Sequence, residues 1–500
     1  MSHSSAYLAI DLGAESGRAL LGRFDGARVT LDEIHRFPNE PVRLPRGLHW
    51  DALRLLHEIR LSLTAAARAA TPPRSVAIDT WGADFGLLDH TGALIGNPVH
   101  YRDERTLGMP ARALSRVSWP EIYSATGIQY LALNTLFQLL ATEDSPLLPV
   151  AAHLLMMPDL LAYWLSGELA NERTDASTTQ LYDPTRRDWA WPLIDRLGLP
   201  SRLFRQPLID PGTPLGLLLP DVASSSGLAP STTVVAVGSH DTASAVAAIP
   251  AVGDDWAYIS SGTWSLVGVE TPRPVLTSAA MTANLTNEVG VLDTIRLLKN
   301  VMGLWLLQEC RRTWRLQGQC HSYADLVRLA EAATPFAHLI DPDHPSLVAP
   351  GDMPARLAHL CVESGQPASA SAGATVRCVL ESLALKYRWV IERLEMVTRQ
   401  PISIIHIVGG GARNALLCQM TADATGRRVL AGPVEATALG NILVQALAAG
   451  QLHSLADIRG VVRRSSSLTA YDPTPNSAPW DDAYARLLPL IAASALPSLT

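Results

Sequence analysis

Short apolar runs separated by glycine, serine and aspartate pattern the beginning of the chain. They predict strands at Tyr7–Asp11, at Arg18–Phe24 and near Val29–Leu31. Asp25-Gly26, between the second and third runs, is typical of a hairpin turn. Apolar residues then recur at helical spacing over Leu53–Ala70, and prolines follow. The chain is therefore expected to open with three strands and a helix.

Strand and helix patterns alternate further along. Ser75–Thr80 is a short β-branched strand, and Asp84–Ile95 indicates a hairpin that turns at His90-Thr91-Gly92. Residues 110–200 are largely helical in pattern, with interruptions at prolines. Thr233–Val237 predicts another strand, which ends at a Gly-Ser-His-Asp turn.

A second strand-turn-strand pattern repeats the layout of the first. Ala257–Ile259 and Trp264–Val269 flank the turn Ser260–Thr263. Later, Ile404–Val408 runs into three glycines and then a helix from about Asn414 to Thr425. These patterns predict two α/β halves, residues 1–245 and 246–500, each with a Gly/Ser hairpin near its start.

Composition narrows the class of protein. In 500 residues, 48% are hydrophobic and 17% charged, which excludes a disordered chain. The net charge of −7 excludes a cationic surface for nucleic acid or anionic lipid. Lys299 and Lys386 are the only lysines among 40 basic residues. The five cysteines form no CxxC and are expected to be reduced, although Cys361 and Cys378 could pair.

The apolar segments do not predict export or membrane insertion. The run at Tyr7–Ile10 is interrupted by Asp11, and Pro146–Leu165 contains two more prolines, a histidine and an aspartate. We therefore expect a cytoplasmic protein.

The first Gly/Ser turn is a candidate phosphate site. Gly13–Arg18 follows a strand that ends in Asp11, and glycines let consecutive backbone N–H groups approach an anion. Asp11 could hold Mg²⁺, which prefers one or two carboxylates together with phosphate oxygens and water. An ordinary hairpin turn remains the alternative.

Two later turns offer similar donors. Ser260–Thr263 supplies backbone N–H groups and hydroxyls, and Gly409-Gly410-Gly411 lies between a strand and a helix, where a ligand can approach closely. One such hairpin in each half could hold a polyphosphate between them. Each could also be a plain turn. The chain has no P-loop, no dinucleotide fingerprint, no G-x-S-x-G motif and no His/Cys cluster with metal-ligand spacing.

His240-Asp241-Thr242 follows a strand at the predicted boundary. Asp241 could accept the proton of an attacking hydroxyl, or it could cap the helix Ala243–Ala248, a cap that Thr242 could also provide. Asp79–Gly82 and Tyr101–Asp103 are polar-aromatic clusters at strand ends. They could line a sugar pocket or contain buried aromatic residues.

Taken together, these motifs resemble those of the FGGY carbohydrate kinases over about residues 6–470. The matching segments are Ala9–Arg18, Ile78–Phe85, Ser239–Val246, Ser260–Leu266, Leu298–Trp305 and His406–Gly411. The resemblance implies an α/β fold of two actin-like (ribonuclease H-like) domains, with mixed sheets flanked by helices and a cleft between the domains.

The resemblance also implies an activity and a set of site residues. It implies that the γ-phosphoryl group of ATP is transferred to the 1-hydroxyl of L-rhamnulose, with Mg²⁺, in L-rhamnose catabolism. Asp241 matches the general base, and Asp11 the residue facing Mg²⁺. The matches to sugar contacts are Gly82, His240, Asp241, Thr242 and Asn300. The matches to ATP contacts are Ala14, Glu15, Ser16, Gly17, Arg18, Thr263, Gln308 and Gly410.

Two positions depart from the family pattern. Glu15 places a carboxylate where members often carry a small hydroxyl residue, and Thr421 and Thr425 replace cysteines found in some members. Three alternatives remain open: a kinase of L-fuculose or L-ribulose, an actin- or Hsp70-like ATPase switch, and a non-catalytic sugar sensor. The partners expected are a sugar and ATP, without nucleic acid or membrane, and the oligomeric state is open.

Overall fold

The structure, a computed structural model, describes residues 4–494. The strands are β1 (Ser5–Leu12), β2 (Ser16–Phe24), β3 (Val29–Pro38), β4 (Val42–Leu44), β5 (Gly47–His49), β6 (Ser75–Thr80), β7 (Phe85–Leu88), β8 (His153–Met156), β9 (Asn171–Glu172), β10 (Tyr182–Asp183), β11 (Asp188–Trp189), β12 (Leu208–Ile209), β13 (Pro214–Leu217), β14 (Thr233–Val235), β15 (Trp256–Ser261), β16 (Trp264–Thr271), β17 (Thr286–Val289), β18 (Ile295–Met302), β19 (Ile404–Val408), β20 (Arg428–Ala431) and β21 (Thr469–Tyr471).

Helices connect and cover these strands. They are α1 (Ala52–Ala67), α2 (Met109–Leu114), α3 (Trp119–Thr126), α4 (Thr135–Leu140), α5 (Met157–Ser166), α6 (Arg173–Ala176), α7 (Trp191–Arg196), α8 (Pro220–Ser226), α9 (Asp241–Ala247), α10 (Ser278–Thr282), α11 (Trp305–Leu316), α12 (Tyr323–Ala332), α13 (Met353–Glu363), α14 (Ala372–Thr398), α15 (Ala415–Thr425), α16 (Ala436–Ala448), α17 (Leu455–Ser465) and α18 (Ala478–Ser494).

The contacts divide the chain into two compact units. The first contains the chain up to Pro250 together with Glu270–Leu297 and Ala436–Ser466. The second contains Ala251–Val269, Leu298–Glu435 and the chain from Ser467. The domain boundary expected at residue 245 stays a prediction.

A mixed six-stranded sheet forms the centre of the first unit, in the order β13-β14-β6-β1-β2-β3. β1 pairs in antiparallel fashion with β2 and in parallel with β6. Seven of the eight residues of β1 are buried, as expected for a central strand covered on both faces. α16 packs against β1 and β6, so the helix closest to these strands comes from late in the sequence.

The second unit contains the strands β18-β16-β15-β19-β20-β21 in that order. β15 pairs in antiparallel fashion with β16 and in parallel with β19. The 27-residue helix α14 is capped by Ser371, whose hydroxyl accepts the Ala374 N–H. α14 packs against α12, α15 and α18 and buries most of its apolar residues.

Most of the predicted strands are observed, and Ser75–Thr80 and Ile404–Val408 are confirmed to the residue. The hairpin predicted at Asp84–Ile95 is observed only as a short turn around residues 90–92, where Asp89 N–H donates to Ala93 O at 2.9 Å and Ile95 N–H donates to Leu87 O at 3.0 Å. β7 instead pairs with β8, and the proposed second arm keeps a single bridge between Leu88 and Leu94. The Asp89 carboxylate accepts the N–H groups of Thr91 and Ala93, which closes this turn.

Both lysines of the chain are buried in the second unit. Lys386 Nζ lies 2.7 Å from Asp341 Oδ1 and 3.1 Å from Asp343 Oδ2. The pKa of Lys299 is lowered to about 8, mainly by burial and in part by the charge of Lys386, while Asp343 and Asp341 oppose the shift. The five cysteines are unbridged, and only Cys320 is exposed. Between residues 4 and 494, no helix combines the length and apolarity that crossing a bilayer requires.

Candidate active site

Carboxylates from three segments meet at one edge of the first unit's sheet. Asp11 and Asp79 are register partners near the ends of the parallel strands β1 and β6. Thr80 bridges to His240, which brings the start of α9 and Asp241 to the same edge. Burial raises the pKa of Asp79 well above its usual range, and the charges of Asp11 and Asp241 add to that shift.

Asp79 and Asp11 have different partners. Asn441 of α16 donates to Asp79 Oδ2 at 2.6 Å, while the enclosed Asp79 Oδ1 has no hydrogen-bond partner among the residues described. Arg18 donates to Asp11 Oδ2 at 2.5 Å.

The carboxylates fit Mg²⁺ only as a partial ligand set. In the described part of the chain, no three His, Cys, Asp or Glu side chains are grouped closely enough to hold a metal ion. Mg²⁺ needs only one or two carboxylates when phosphate oxygens and water complete its shell. Asp11, with the unpartnered oxygen of Asp79 beside it, is compatible with that arrangement.

Asp241 is the first residue of α9 and not its cap. His240 occupies the cap position with extended backbone angles, and no side chain caps the helix. Thr242 Oγ1 instead donates to Asp241 Oδ1 at 3.0 Å. The capping alternatives for Asp241 and Thr242 are therefore wrong, because both side chains are turned toward each other. The Asp241 side chain is 30% exposed, so a bound molecule could reach it.

His240 lies against a buried ion pair that the sequence did not reveal. Its Nδ1 is 3.3 Å from Glu288 Oε2 and 3.1 Å from Arg296 Nη2. Arg296 is fully buried, and its Nη1 lies 3.2 Å from Glu288 Oε2. The Nε2 of His240 lies 3.6 Å from Asp241 Oδ1. Because the partners of Nδ1 fix the ring, its Nε2 edge is held beside Asp241.

The polar-aromatic clusters proved to be interior. Trp81 and Tyr101 are buried beside Trp50, whose ring centroid is 4.0 Å from that of Trp81. The carboxylate of Asp84 accepts the indole N–H groups of Trp50 and Trp81 at 2.5 and 3.0 Å. Burial raises the pKa of Asp84 to about 6. The aromatic residues of both clusters are therefore buried, and a sugar contact by the other residues of these clusters stays a prediction.

Gly82 lies beside this stack in a close contact. A Cβ at this position would lie 2.8 Å from Thr178 Cγ2, so a larger residue would displace that segment. The backbone N–H of Ala83, the next residue, donates to Thr178 Oγ1 at 2.9 Å. Gly82 is therefore fixed by packing.

The first Gly/Ser turn is shorter than predicted. The connection between β1 and β2 covers Gly13, Ala14 and Glu15, whereas Ser16, Gly17 and Arg18 belong to β2. These three residues pair with β3, and Asn39 donates its side-chain amide to Gly13 O at 2.8 Å and its backbone N–H to Glu15 O at 3.0 Å. The predicted strand Arg18–Phe24 therefore begins two residues earlier than expected, because its pairing continues back to Ser16.

The corresponding turn of the second unit is held by α11. β15 extends to Ser261, so the turn is Gly262-Thr263. The N–H groups of Leu304 and Trp305 donate to Gly262 O and Thr263 O at 3.0 and 3.1 Å. Gln308 lies in the first turn of α11, and its Oε1 is enclosed without a partner among the described residues. Thr263 and Gln308 are thus positioned by one hydrogen-bonded junction.

The glycine triplet packs against the end of β15. A Cβ on Gly411 would overlap the Ser261 side chain, whereas a Cβ on Gly410 would meet nothing within 4 Å. The last two glycines belong to a 3₁₀ turn, Gly410–Arg413, which precedes α15, and Asn414 caps that helix. The triplet therefore does not begin an α-helix, but its central glycine faces open space.

The predicted site residues fall into two groups, one in each unit. Asp11, Gly82, His240, Asp241 and Thr242 belong to the first unit. Thr263, Asn300, Gln308 and Gly410 belong to the second. Glu288, Arg296 and Asn441 are the contributors that sequence reasoning missed; a charged residue within the apolar run Ile295–Leu298 was the available signal for Arg296.

Comparisons with known proteins identify the family of the chain. The model described as the FGGY family of carbohydrate kinases, N-terminal domain, matches residues 6–248, and the C-terminal domain model matches residues 257–449. A curated rhamnulokinase of Bacteroides thetaiotaomicron is 43% identical over 96% of this chain and 98% of its own. One of Enterococcus faecalis is 41% identical over 94% of each.

Solved structures share the fold. The gluconate kinase of Lactobacillus acidophilus has a TM-score of 0.79 at 14% identity and covers 99% of both chains. The glycerol kinase of Plasmodium falciparum, solved with ADP, has a TM-score of 0.75 at 14% identity over 99% of both. The predicted α/β fold with mixed sheets flanked by helices is confirmed. Since the two family models together cover most of its length, the chain belongs to the FGGY family of carbohydrate kinases.

Proposed function

We propose that this protein transfers the γ-phosphoryl group of ATP to the 1-hydroxyl of L-rhamnulose, as a step of L-rhamnose catabolism. The observation that carries the substrate is the match, over nearly the whole chain, to two curated rhamnulokinases. The geometry around Asp241 supports the chemistry. A carboxylate that is partly exposed and does not cap its helix is available to a bound hydroxyl.

Asp241 acts as the general base. Thr242 occupies its Oδ1, which leaves Oδ2 to accept the proton of the attacking hydroxyl. The hydroxyl oxygen forms its bond to the γ-phosphorus as the bond to the bridging oxygen breaks, and ADP departs with that oxygen. Because such transition states are loose, positioning and charge neutralisation supply most of the rate enhancement.

The sugar contacts are assigned to Gly82, His240, Thr242 and Asn300. The Nε2 edge of His240 lies beside the base, where it can hydrogen-bond a neighbouring hydroxyl of the substrate. Its Nδ1 partners, Glu288 and Arg296, hold the ring in that orientation. His240 is therefore proposed to orient the sugar without taking its proton.

The ATP contacts are assigned to both Gly/Ser turns. The first turn and the start of β2 contribute Ala14, Glu15, Ser16, Gly17 and Arg18, and the second unit contributes Thr263, Gln308 and Gly410. Mg²⁺, held by Asp11, would neutralise charge on the phosphates. Arg18, which pairs with Asp11 in the structure, is the cation nearest to that carboxylate.

The test is ADP release with Mg·ATP against L-rhamnulose, L-fuculose, L-ribulose, L-xylulose and glycerol. Asp241→Asn keeps the shape of the side chain but removes the base, so we expect kcat to fall by roughly 10²–10⁴. Asp254→Asn, at an exposed aspartate, is the matched control and should leave kcat unchanged.

Each other outcome has a defined meaning. Preference for another ketose would contradict the substrate but keep the base. ATP hydrolysis that needs no sugar and survives Asp241→Asn would contradict both and favour an ATPase switch.

A further inference from the structure

Three buried hydroxyls on one short segment each accept a backbone N–H from a distant part of the first unit. The segment is Glu172–Thr179, which we term the hydroxyl segment; it contains α6 and a 3₁₀ turn, Ser177–Thr179. The bonds are His240 N–H to Thr174 Oγ1 at 3.1 Å, Val289 N–H to Ser177 Oγ at 2.9 Å and Ala83 N–H to Thr178 Oγ1 at 2.9 Å. The hydroxyl segment thus connects three separate segments of the first unit.

Each of the three hydroxyl groups is held in one orientation by the hydrogen bond that it donates. A hydroxyl can donate one hydrogen bond while it accepts another. Ser177 donates to Thr174 O at 2.9 Å and Thr178 donates to Asp175 O at 2.8 Å, within the segment. Thr174 donates to the carboxylate of Glu172, which also accepts the Ser239 N–H at 3.1 Å. Each acceptor lone pair therefore points in a fixed direction.

Each of these three segments carries a residue of the proposed site. Ala83 follows Gly82, and His240 precedes Asp241. Val289 follows Glu288, whose carboxylate lies 3.3 Å from His240 Nδ1. The hydroxyl segment thus holds the residue after Gly82, the backbone of His240 and the residue after Glu288.

We propose that Thr174, Ser177 and Thr178 are positioning residues that hold Gly82, His240 and Asp241 in register for the sugar. This inference rests on the proposed function for the identity of the ligand. The residues act through backbone N–H groups and do not touch the reacting atoms. Without its hydroxyl acceptor a buried N–H is left unpaired, and the backbone that carries it must relax to find another partner.

The chain offers a matched control in the same segment. Thr179 is as buried as Thr174, and its hydroxyl donates to Ala176 O at 2.6 Å and accepts the Leu181 N–H at 3.1 Å. Neither partner belongs to one of the three connected segments. Thr179→Val therefore removes a buried hydroxyl of the same type without releasing Ala83, His240 or Val289.

Hydrogen–deuterium exchange of the full chain measures the positioning directly. Thr174→Val should speed exchange about tenfold or more in peptides spanning residues 237–243, and Thr178→Val in peptides spanning 80–86. Thr179→Val should change neither. In steady-state assays the first two variants should raise KM for the ketose by about tenfold, while KM for ATP stays within twofold.

A conservative variant should restore native behaviour, and two results would contradict the proposal. Thr174→Ser retains the hydroxyl and should restore native exchange and KM. The proposal is overturned if Thr179→Val raises the ketose KM as much as Thr174→Val, because the segment would then act through general stability. Unchanged exchange in both test variants overturns it as well. Exchange does not depend on turnover, so loss of the proposed function would be seen separately, as native chain that releases no ADP with any ketose.

Discussion

The buried carboxyl group of Asp84 makes the stability of the first unit depend on pH. It is fully enclosed, and it accepts hydrogen bonds from Trp50, Trp81 and Gln138, the last at 2.8 Å from Oδ1. Burial outweighs these bonds and raises its pKa from 3.8 to about 6. Asp84→Asn removes the titration while it keeps a similar shape.

The sign follows from proton binding. The folded chain binds the Asp84 proton more tightly than the unfolded chain does, so between about pH 4 and 6 each rise in pH favours the unfolded state. A difference of about two pKa units corresponds to about 3 kcal/mol at 1.36 kcal/mol per unit. This contribution is present below the unfolded pKa and is fully lost above about pH 6.5.

Urea denaturation at pH 4, 5, 6 and 7, followed by tryptophan fluorescence, tests the magnitude, since Trp50 and Trp81 contact the carboxylate. From pH 4 to 7, the native chain should lose about 2.5 kcal/mol relative to Asp84→Asn, because at pH 4 the unfolded carboxyl is already more than half ionised. The difference between the unfolding free energies of the two proteins cancels the contributions of His100 and Glu172. Burial lowers the pKa of His100 to about 3 and raises that of Glu172 to about 7. Parallel stability curves for the two proteins would refute the reasoning.

A pair of helix glycines and the buried Lys386 give further predictions. Gly440→Ala should lower the free energy of unfolding by about 3 kcal/mol or more and reduce kinase activity, because its Cβ would overlap Ser244 O on α9. Gly460→Ala, in the interior of α17 with no close contact, should instead stabilise by up to about 1 kcal/mol; equal thermal shifts in the two would contradict this. Lys386→Met should cost about 3–5 kcal/mol in urea denaturation, since it leaves buried carboxylates without their ammonium group. Adding Asp341→Asn should recover part of that loss, and strictly additive effects would argue against the pairing.

Local patterns predicted the parts of the site that depend on strand ends. The apolar runs that end at Asp11 and Thr80 mark central parallel strands, whose carboxyl ends meet at one edge of the sheet. Asp241 follows a third such run. Their proximity could be anticipated because a strand pattern and its polar last residue are both local properties.

Contacts set by packing could not be anticipated. Glu288 and Arg296 reach His240 from 48 and 56 residues later in the chain, and nothing in their immediate sequence marks them as its partners. Thr174 and Thr178 are ordinary hydroxyl residues in a short helical turn, and their role depends on which amides face them. The contact of Asn441 with Asp79 could not be anticipated either. Asn441 lies on α16, which belongs to the first unit although it lies near the end of the sequence.

The burial of Lys299 and Lys386 makes lysine-directed chemistry a detector of opening in the second unit. Every side-chain amine of this protein is shielded in the folded state, so acylating reagents and a lysine-specific endoproteinase meet no exposed lysine. Cleavage after either residue requires that the surrounding helices and strands separate first. When closing is faster than cutting, the cleavage rate reports the free energy of that opening. Comparing the rates with and without nucleotide would then measure how strongly a bound ligand holds the second unit closed.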